Sequence, residues 1–128
     1  MYRPVHFEIH ATDPQQLITF YTDLFGWTIS KWEGGDYWLI DTGPKEQPGI
    51  NGGLMARRGP PPAEDAPVSA FAITMGVDNL DTMVEKAVAI GGTICLAKMP
   101  IKGMGWLAYA KDPDGNIFGM MQPDASAA

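Results

Sequence analysis

The strongest constraint on the fold is an internal duplication of the sequence. Structural marker residues recur at an offset of 65 or 66 positions: Asp13 is matched by Asp78, and Gly53 is matched by Gly119. These residues fall where a helix begins and where a late strand runs, so chance is a poor explanation. We therefore interpret the sequence as two tandem copies of one module.

Each module has the pattern of a strand, a helix and three further strands. Residues 5–10 alternate apolar and ionisable side chains with the period of a strand. Asp13 followed by Pro14 predicts the start of a helix, and Gly26 predicts its end. Three more strands are predicted over 27–32, 37–41 and 50–56. A four-stranded module leaves one face and one edge of its sheet open, so the two modules are expected to pair around a cleft.

The second module repeats this order after a proline-rich connector. Module 1 is placed at about 1–57, the connector at 58–67, module 2 at about 68–123 and a tail at 124–128. Module 2 is expected to open with a strand over 69–75, a helix capped by Asp78 and, later, a loop over 97–105. The predicted fold class is α+β, with two tandem βαβββ modules in a curved mixed sheet, the helices outside, and one domain over 1–128.

Composition limits the possible partners. The chain has 128 residues and is 45% hydrophobic, which suits one compact body. A net charge of −6 argues against nucleic acid and anionic membranes, which need a basic face. A single cysteine, Cys95, agrees with a reducing compartment, and no signal or membrane segment is evident in the sequence. We expect a cytoplasmic protein.

The first strand carries most of the candidate chemistry. Its alternation places His6, Glu8 and His10 on one face, while Phe7 and Ile9 point into the core. Two imidazoles and a carboxylate are costly to bury without partners, so this face is expected to line a cleft. The simplest interpretation is a hydrogen-bonded polar floor in which the carboxylate fixes an imidazole tautomer. His6 and Glu8 are the candidate catalytic residues.

Three segments of the sequence resemble the vicinal oxygen chelate superfamily: HFEI at 6–9, GINGGLM at 49–55 and DPDGNIFG at 112–119. This superfamily includes glyoxalase I, extradiol dioxygenases, fosfomycin-resistance enzymes and bleomycin-resistance proteins, and the resemblance covers nearly the whole chain. It implies the paired βαβββ fold. It does not imply one activity, because this fold supports several chemistries and binding roles.

The resemblance also identifies the four positions that hold a metal ion in the metalloenzymes of the superfamily. They fall here on His6, Gly53, Ala72 and Gly119, so only one of the four has a donor atom. A divalent ion needs several converging donors, so we expect no metal and no other cofactor. The alternative is a divalent metal at a relocated site formed by His6, Glu8 and His10.

The remaining candidate ligand-binding residues follow from the pleat of the strands. Trp38 and Trp106 lie in corresponding strands and are candidates for an aromatic wall. Arg57 is a candidate partner for a ligand carboxylate, and the loop over 97–105 is a candidate lid. The complete expected set is His6, Glu8, His10, Trp38, Gly53, Met55, Arg57, Ala72, Thr74, Trp106, Gly119 and Met121.

Three functions are compatible with these features. The first is a glyoxalase/bleomycin-resistance-like protein that binds a small organic molecule in a metal-free cleft lined by methionine. The second is a metal-independent acid–base enzyme, a lyase or isomerase related to lactoylglutathione lyase, that uses Glu8 and His6. The third is a glyoxalase- or dioxygenase-type metalloenzyme with a relocated metal. A homodimer is expected, because open sheet edges and exposed tryptophans favour association.

Overall fold

A computed structural model describes residues 1–128, which divide into two compact units over 1–61 and 62–128. Each unit contains one four-stranded mixed sheet and one helix. The α+β class and the repeated βαβββ order are therefore confirmed. No helix in the chain has both the length and the apolar character needed to cross a bilayer.

Unit 1 is built from five elements: β1 His6–Ala11, α1 Pro14–Phe25, β2 Thr28–Lys31, β3 Tyr37–Asp41 and β4 Asn51–Ala56. The strand order across the sheet is β1-β4-β3-β2. β1 runs parallel to β4, and the β4/β3 and β3/β2 pairs are antiparallel. The predicted strand over 37–41 is confirmed residue for residue, and the bounds of the other strands move by at most one position.

α1 begins and ends where its sequence predicts. The side chain of Asp13 accepts a hydrogen bond from the backbone N–H of Gln16 at 3.4 Å, and Pro14 occupies the first turn. Gly26 adopts a left-handed φ of 71°, a conformation that favours glycine. The helix buries Leu17 and Leu24, which are at most 3% exposed, so it covers one face of the sheet.

Unit 2 repeats the order with β5 Ile73–Gly76, α2 Leu80–Ala89, β6 Thr93–Ile101, β7 Gly105–Lys111 and β8 Ile117–Pro123. The strand order is β5-β8-β7-β6, which matches the first sheet element by element. β5 runs parallel to β8, and the other two pairs are antiparallel. Buried Phe118 and Met120 lie on the helix-covered face, as the alternation of β8 predicts.

Two expectations for unit 2 are wrong. The strand expected over 69–75 begins only at Ile73, because the pairing with β8 starts there and Phe71 is fully exposed. The helix cap is Asn79 rather than Asp78, since the Asn79 side chain accepts from the N–H of Thr82 at 3.1 Å. Both residue types favour helix N-termini, so the sequence did not distinguish them.

The expected lid over 97–105 is also wrong. Residues 97–101 continue β6 and pair with β7, which leaves only a short turn at 102–104. The pairing includes register shifts between Ile94 and Leu96 and between Leu96 and Met99. Such irregularities break the strict alternation that marks a strand, so the segment has the appearance of a loop in the sequence.

Candidate functional site

The candidate site of unit 1 lies on the face of the sheet opposite α1. Glu8 is paired with Gly53 in the β1–β4 register, so these two residues share a face with His6 and His10. The next residue of β4, Leu54, is 0% exposed and lies on the helix-covered face. The expected grouping of the three ionisable residues of β1 is therefore what the register produces.

Four side chains on this face form a continuous chain of hydrogen bonds. His6 Nε2 lies 2.8 Å from the hydroxyl oxygen of Tyr37, and that hydroxyl donates to Glu8 Oε2 at 3.0 Å. The second carboxylate oxygen, Oε1, lies 3.0 Å from His10 Nε2. Each oxygen of Glu8 therefore has its own partner, and Tyr37 connects the carboxylate to the imidazole of His6.

Gly53 makes room for Tyr37. A Cβ atom added at position 53 would overlap the hydroxyl oxygen and the Cζ atom of the tyrosine, so the ring passes directly over the glycine. A glycine in a strand interior often marks such a close approach. The space left by the missing side chain at Gly53 is therefore filled by Tyr37.

The hydrogen-bond chain changes the acidity of two of its members. The hydrogen bond from His10 lowers the pKa of the Glu8 carboxyl below its usual value, and the Tyr37 hydroxyl and the electrostatic influence of both imidazoles act in the same direction against partial burial. Burial raises the pKa of Tyr37, and its hydrogen bond to Glu8 and the negative charge there raise it further. At neutral pH the carboxyl is therefore ionised and the phenol keeps its proton.

Apolar side chains lie beside the polar chain. Leu39 shares the face of Tyr37 by alternation along β3 and is 46% exposed, which is high for a leucine in a strand. Met55 lies across from both His10 and Tyr37 and is half-buried. Trp32 is 48% exposed and meets the Tyr37 ring edge-on, with ring centroids 6.4 Å apart. The face therefore combines one anionic hydrogen-bond chain with accessible apolar surface.

Arg57 lies at the end of this arrangement. Its guanidinium donates to the backbone carbonyl of His10 at 3.0 Å, and its backbone N–H donates to the carbonyl of Ala11 at 2.8 Å. The side chain therefore joins the chain after β4 to the end of β1. These contacts indicate that Arg57 holds the end of β1 in place.

The two tryptophans of the expected aromatic wall lie on the other face of their sheets. Trp38 pairs with buried Leu54 across β3 and β4, and Trp106 pairs with Gln122 in unit 2. Neighbouring side chains along a strand point to opposite faces of the sheet. By the strand register, each tryptophan therefore points away from the face that carries its unit's expected glycine. Lys98 lies over the Trp106 ring at 5.0 Å.

In unit 2, only some of the expected ligand-binding residues lie close together. Thr74 of β5 pairs with Gly119 of β8, and a Cβ added at the glycine would lie 2.6 Å from the threonine Oγ1 and 3.0 Å from Tyr109 Cε1. Met121 is half-buried two residues along the same face. Ala72 precedes β5 and is exposed, so it does not belong to the paired part of the sheet.

The residues at the four family metal positions do not fit a divalent ion. Gly53, Ala72 and Gly119 have no donor, and the nitrogen Nε2 of His6 is already engaged by Tyr37. No group of three or more His, Cys, Asp or Glu side chains in the chain is arranged to hold a metal. His6, Glu8 and His10 do not converge either, because the two oxygens of Glu8 bind different partners.

Sequence reasoning missed Tyr37, Leu39 and Trp32. Tyr37 lies 29 positions from Glu8, and no local pattern joins the two. The one available signal was Gly53, because a glycine inside a strand predicts that some group approaches the backbone closely. That signal gives the location of the contact without identifying the residue that makes it.

Comparison with known proteins gives one family. The family model described as the glyoxalase/bleomycin resistance protein/dioxygenase superfamily matches residues 3–120. The protein CFP32 of Mycobacterium tuberculosis, whose name proposes a glyoxylase, is 29% identical over 119 residues, which is 91% of this chain and 42% of CFP32. The anthracycline biosynthesis protein DnrV of Streptomyces peucetius is 24% identical over 90% of this chain and 45% of DnrV. The chain thus spans less than half the length of these relatives.

The fold agrees with solved structures of the same family. A glyoxalase/bleomycin resistance protein/dioxygenase family enzyme from Burkholderia phytofirmans superposes with a TM-score of 0.71 at 19% identity, and the match covers 93% of this chain and 97% of that one. At this level of identity the likeness supports the fold alone.

Proposed function

The chain belongs to the glyoxalase/bleomycin resistance protein/dioxygenase superfamily, and we propose that it binds a small organic molecule on the open face of its first sheet without a metal ion. The observation that carries the proposal is the hydrogen-bond chain through His6, Tyr37, Glu8 and His10. It lies on the face away from α1, where polar groups remain within reach of solvent and of a ligand.

The surroundings of this chain suit an organic ligand. Leu39 and Trp32 expose nearly half of their surface beside it, and removing apolar surface from water is the usual driving force for binding small molecules. The half-buried Met55 adapts to irregular shapes. One relative is named as an anthracycline biosynthesis protein, and this name is compatible with an organic ligand.

The metal-free part of the proposal rests on the use of the space at Gly53. In the metalloenzyme pattern a side chain from this position reaches toward the ion, whereas here the Tyr37 ring occupies that volume. With His6 hydrogen-bonded to the same hydroxyl, the site is organised around a carboxylate rather than around a cation.

The acidity of Glu8 favours binding over an acid–base reaction at this carboxyl. A general acid or base works best with a pKa near the operating pH. The hydrogen bond from His10 shifts the pKa of Glu8 in the opposite direction, below its ordinary value. A metal-independent lyase or isomerase that relies on Glu8 is therefore the less favoured candidate.

The test is an amide NMR titration of the 15N-labelled protein, in buffer containing a chelator, with a library of small neutral ring compounds. We expect at least one compound to shift the amides of β1, β3 and β4 while those of α1 stay in place. The Glu8→Gln variant should bind that compound more weakly, whereas the control Glu33→Gln, in the β2–β3 turn, should not. Binding that occurs only after zinc or manganese is added would contradict the proposal.

A further inference from the structure

The direction of the hydrogen bonds through Tyr37 is fixed by counting protons. Tyr37 has one hydroxyl proton, and its oxygen lies within hydrogen-bond distance of both Glu8 and His6. An ionised carboxylate can only accept, and hydrogen bonds to a charged acceptor are the stronger ones. The proton of Tyr37 therefore goes to Glu8, and the Tyr37 oxygen must accept from Nε2–H of His6.

This assignment leaves the other nitrogen of His6 without a hydrogen. When Nε2 of a neutral imidazole carries the hydrogen, Nδ1 is a bare acceptor. Nδ1 of His6 makes no hydrogen bond within the protein, and the residue is exposed. The structure thus presents a single oriented acceptor at the end of the chain formed by Glu8 and Tyr37.

We infer that Tyr37 is a positioning residue that fixes the tautomer of His6, and that Nδ1 of His6 therefore selects a ligand with an O–H or N–H donor on an apolar ring. The inference rests on the proposed function and specifies its ligand class. An apolar ring suits the exposed side chains of Leu39 and Trp32, which present mainly apolar surface on the side of the site away from β1. A carboxylate or phosphate ligand is disfavoured, because the nearby charge of Glu8 repels it.

The first part of the test reads the tautomer directly. The 15N chemical shifts of an imidazole differ between a nitrogen that carries hydrogen and one that does not, and they are recorded at about pH 9, where free imidazole is neutral. We expect His6 to show a protonated Nε2 and a bare Nδ1. Tyr37→Phe should move the two shifts toward each other, while Tyr109→Phe, which removes a tyrosine hydroxyl from β7 of unit 2, should leave them unchanged.

The second part measures ligand selectivity with a matched pair of probes, 2-naphthol and 2-methoxynaphthalene. They share a ring system, but only the naphthol has a hydrogen to donate. We expect the wild-type protein to bind the naphthol about tenfold more tightly, the size of effect that one unpaired acceptor produces. In Tyr37→Phe the ratio should fall toward one, and in Tyr109→Phe it should remain.

Each failure has a distinct meaning. Equal affinity of the wild type for the two probes, or a hydrogen found on Nδ1 of His6, overturns the inference and leaves the proposed function in place. Failure of both probes to bind overturns the ring-with-donor ligand class. The proposed function itself fails when no compound of the library shifts the amides of the open face in the buffer that contains the chelator.

Discussion

A single hydroxyl group, that of Tyr37, joins two side chains of β1 that point the same way from alternate positions. The hydroxyl bridges His6 and Glu8 with contacts of 2.8 and 3.0 Å. At the scale of the residue, the site therefore depends on a contact between side chains of β1 and β3. That contact is possible because β4, the strand between them, has a glycine at position 53.

The acidity of Glu8 makes a prediction about pH. Its pKa in the folded state lies below the ordinary value of 4.5, so the stabilisation it provides is complete above that value and is lost as pH falls through the folded pKa. The wild type should therefore exceed Glu8→Gln in free energy of unfolding by more at pH 7 than at about pH 3. Urea denaturation at both pH values measures this. A difference that stays constant or grows in acid would show that His10 and Tyr37 do not stabilise the carboxylate.

Gly53→Ala tests the packing of the Tyr37 ring. The added methyl group overlaps the ring, so we expect a loss of about 1–3 kcal/mol in the free energy of unfolding, the usual cost of overpacking. Gly76→Ala is the matched control within a strand, because nothing lies within 4 Å of the added atom. Combining Gly53→Ala with Tyr37→Ala should recover most of the loss due to the methyl group. An equal cost with and without the ring would contradict the packing described here.

At the scale of the element, the two helices show how far local sequence determines structure. The signals of α1 agree with one another, since Asp13, Pro14 and Gly26 all mark its ends. For α2, Asp78 and Asn79 are adjacent and both suit a cap, so the choice depends on tertiary contacts. One such contact is the side-chain oxygen of Gln122 on β8, which accepts from the N–H of Leu80 at 2.8 Å. No pattern near residue 79 contains that information.

The cap assignment can be tested by two neighbouring variants. Asn79→Ala removes the acceptor for the N–H of Thr82 and should cost about 1 kcal/mol of unfolding free energy, the typical value for a lost N-cap. Asp78→Ala should cost much less, because Asp78 is exposed and lies one position outside the cap. Chemical denaturation of both variants measures the difference. The opposite order would restore the cap that the sequence suggests.

The strands also combine features that the local sequence predicts with features that depend on contacts between residues distant in the sequence. The alternation of β1 correctly placed its three ionisable residues, because a period of two is a property of the strand itself. Trp38 and Trp106 were placed by analogy between modules rather than by register, and a shift of one residue put them on the wrong face. Tyr37, the residue that completes the site, is brought to Glu8 only by the order β1-β4-β3.

At the scale of the whole molecule, the family and the fold were predictable, because the duplication and three segments extend over most of the chain. The side chain that completes the site, Tyr37, was harder to predict, because the sequence does not show which residue fills the space above Gly53.

The proposed absence of a metal makes a prediction for the whole molecule. Dialysis against EDTA should leave the midpoint of thermal unfolding unchanged, because a protein that binds no ion loses no linkage energy on chelation.

The measurement is differential scanning calorimetry before and after dialysis, with elemental analysis of both samples. A fall in the unfolding temperature that is reversed by one equivalent of zinc or manganese would mean that an ion stabilises the fold, and the metal-free proposal would then fail.

The position of the Tyr37 ring over Gly53 also has an evolutionary consequence. Any glycine codon becomes one for aspartate or glutamate by a single base change, so an acidic side chain at position 53 is, genetically, one step away. In this chain that step places a carboxylate inside an aromatic ring. Room for that carboxylate needs a second change, at Tyr37 on another strand, and the intermediate with only the first change is the less stable protein. The tyrosine therefore opposes any single-step introduction of an acidic side chain at position 53.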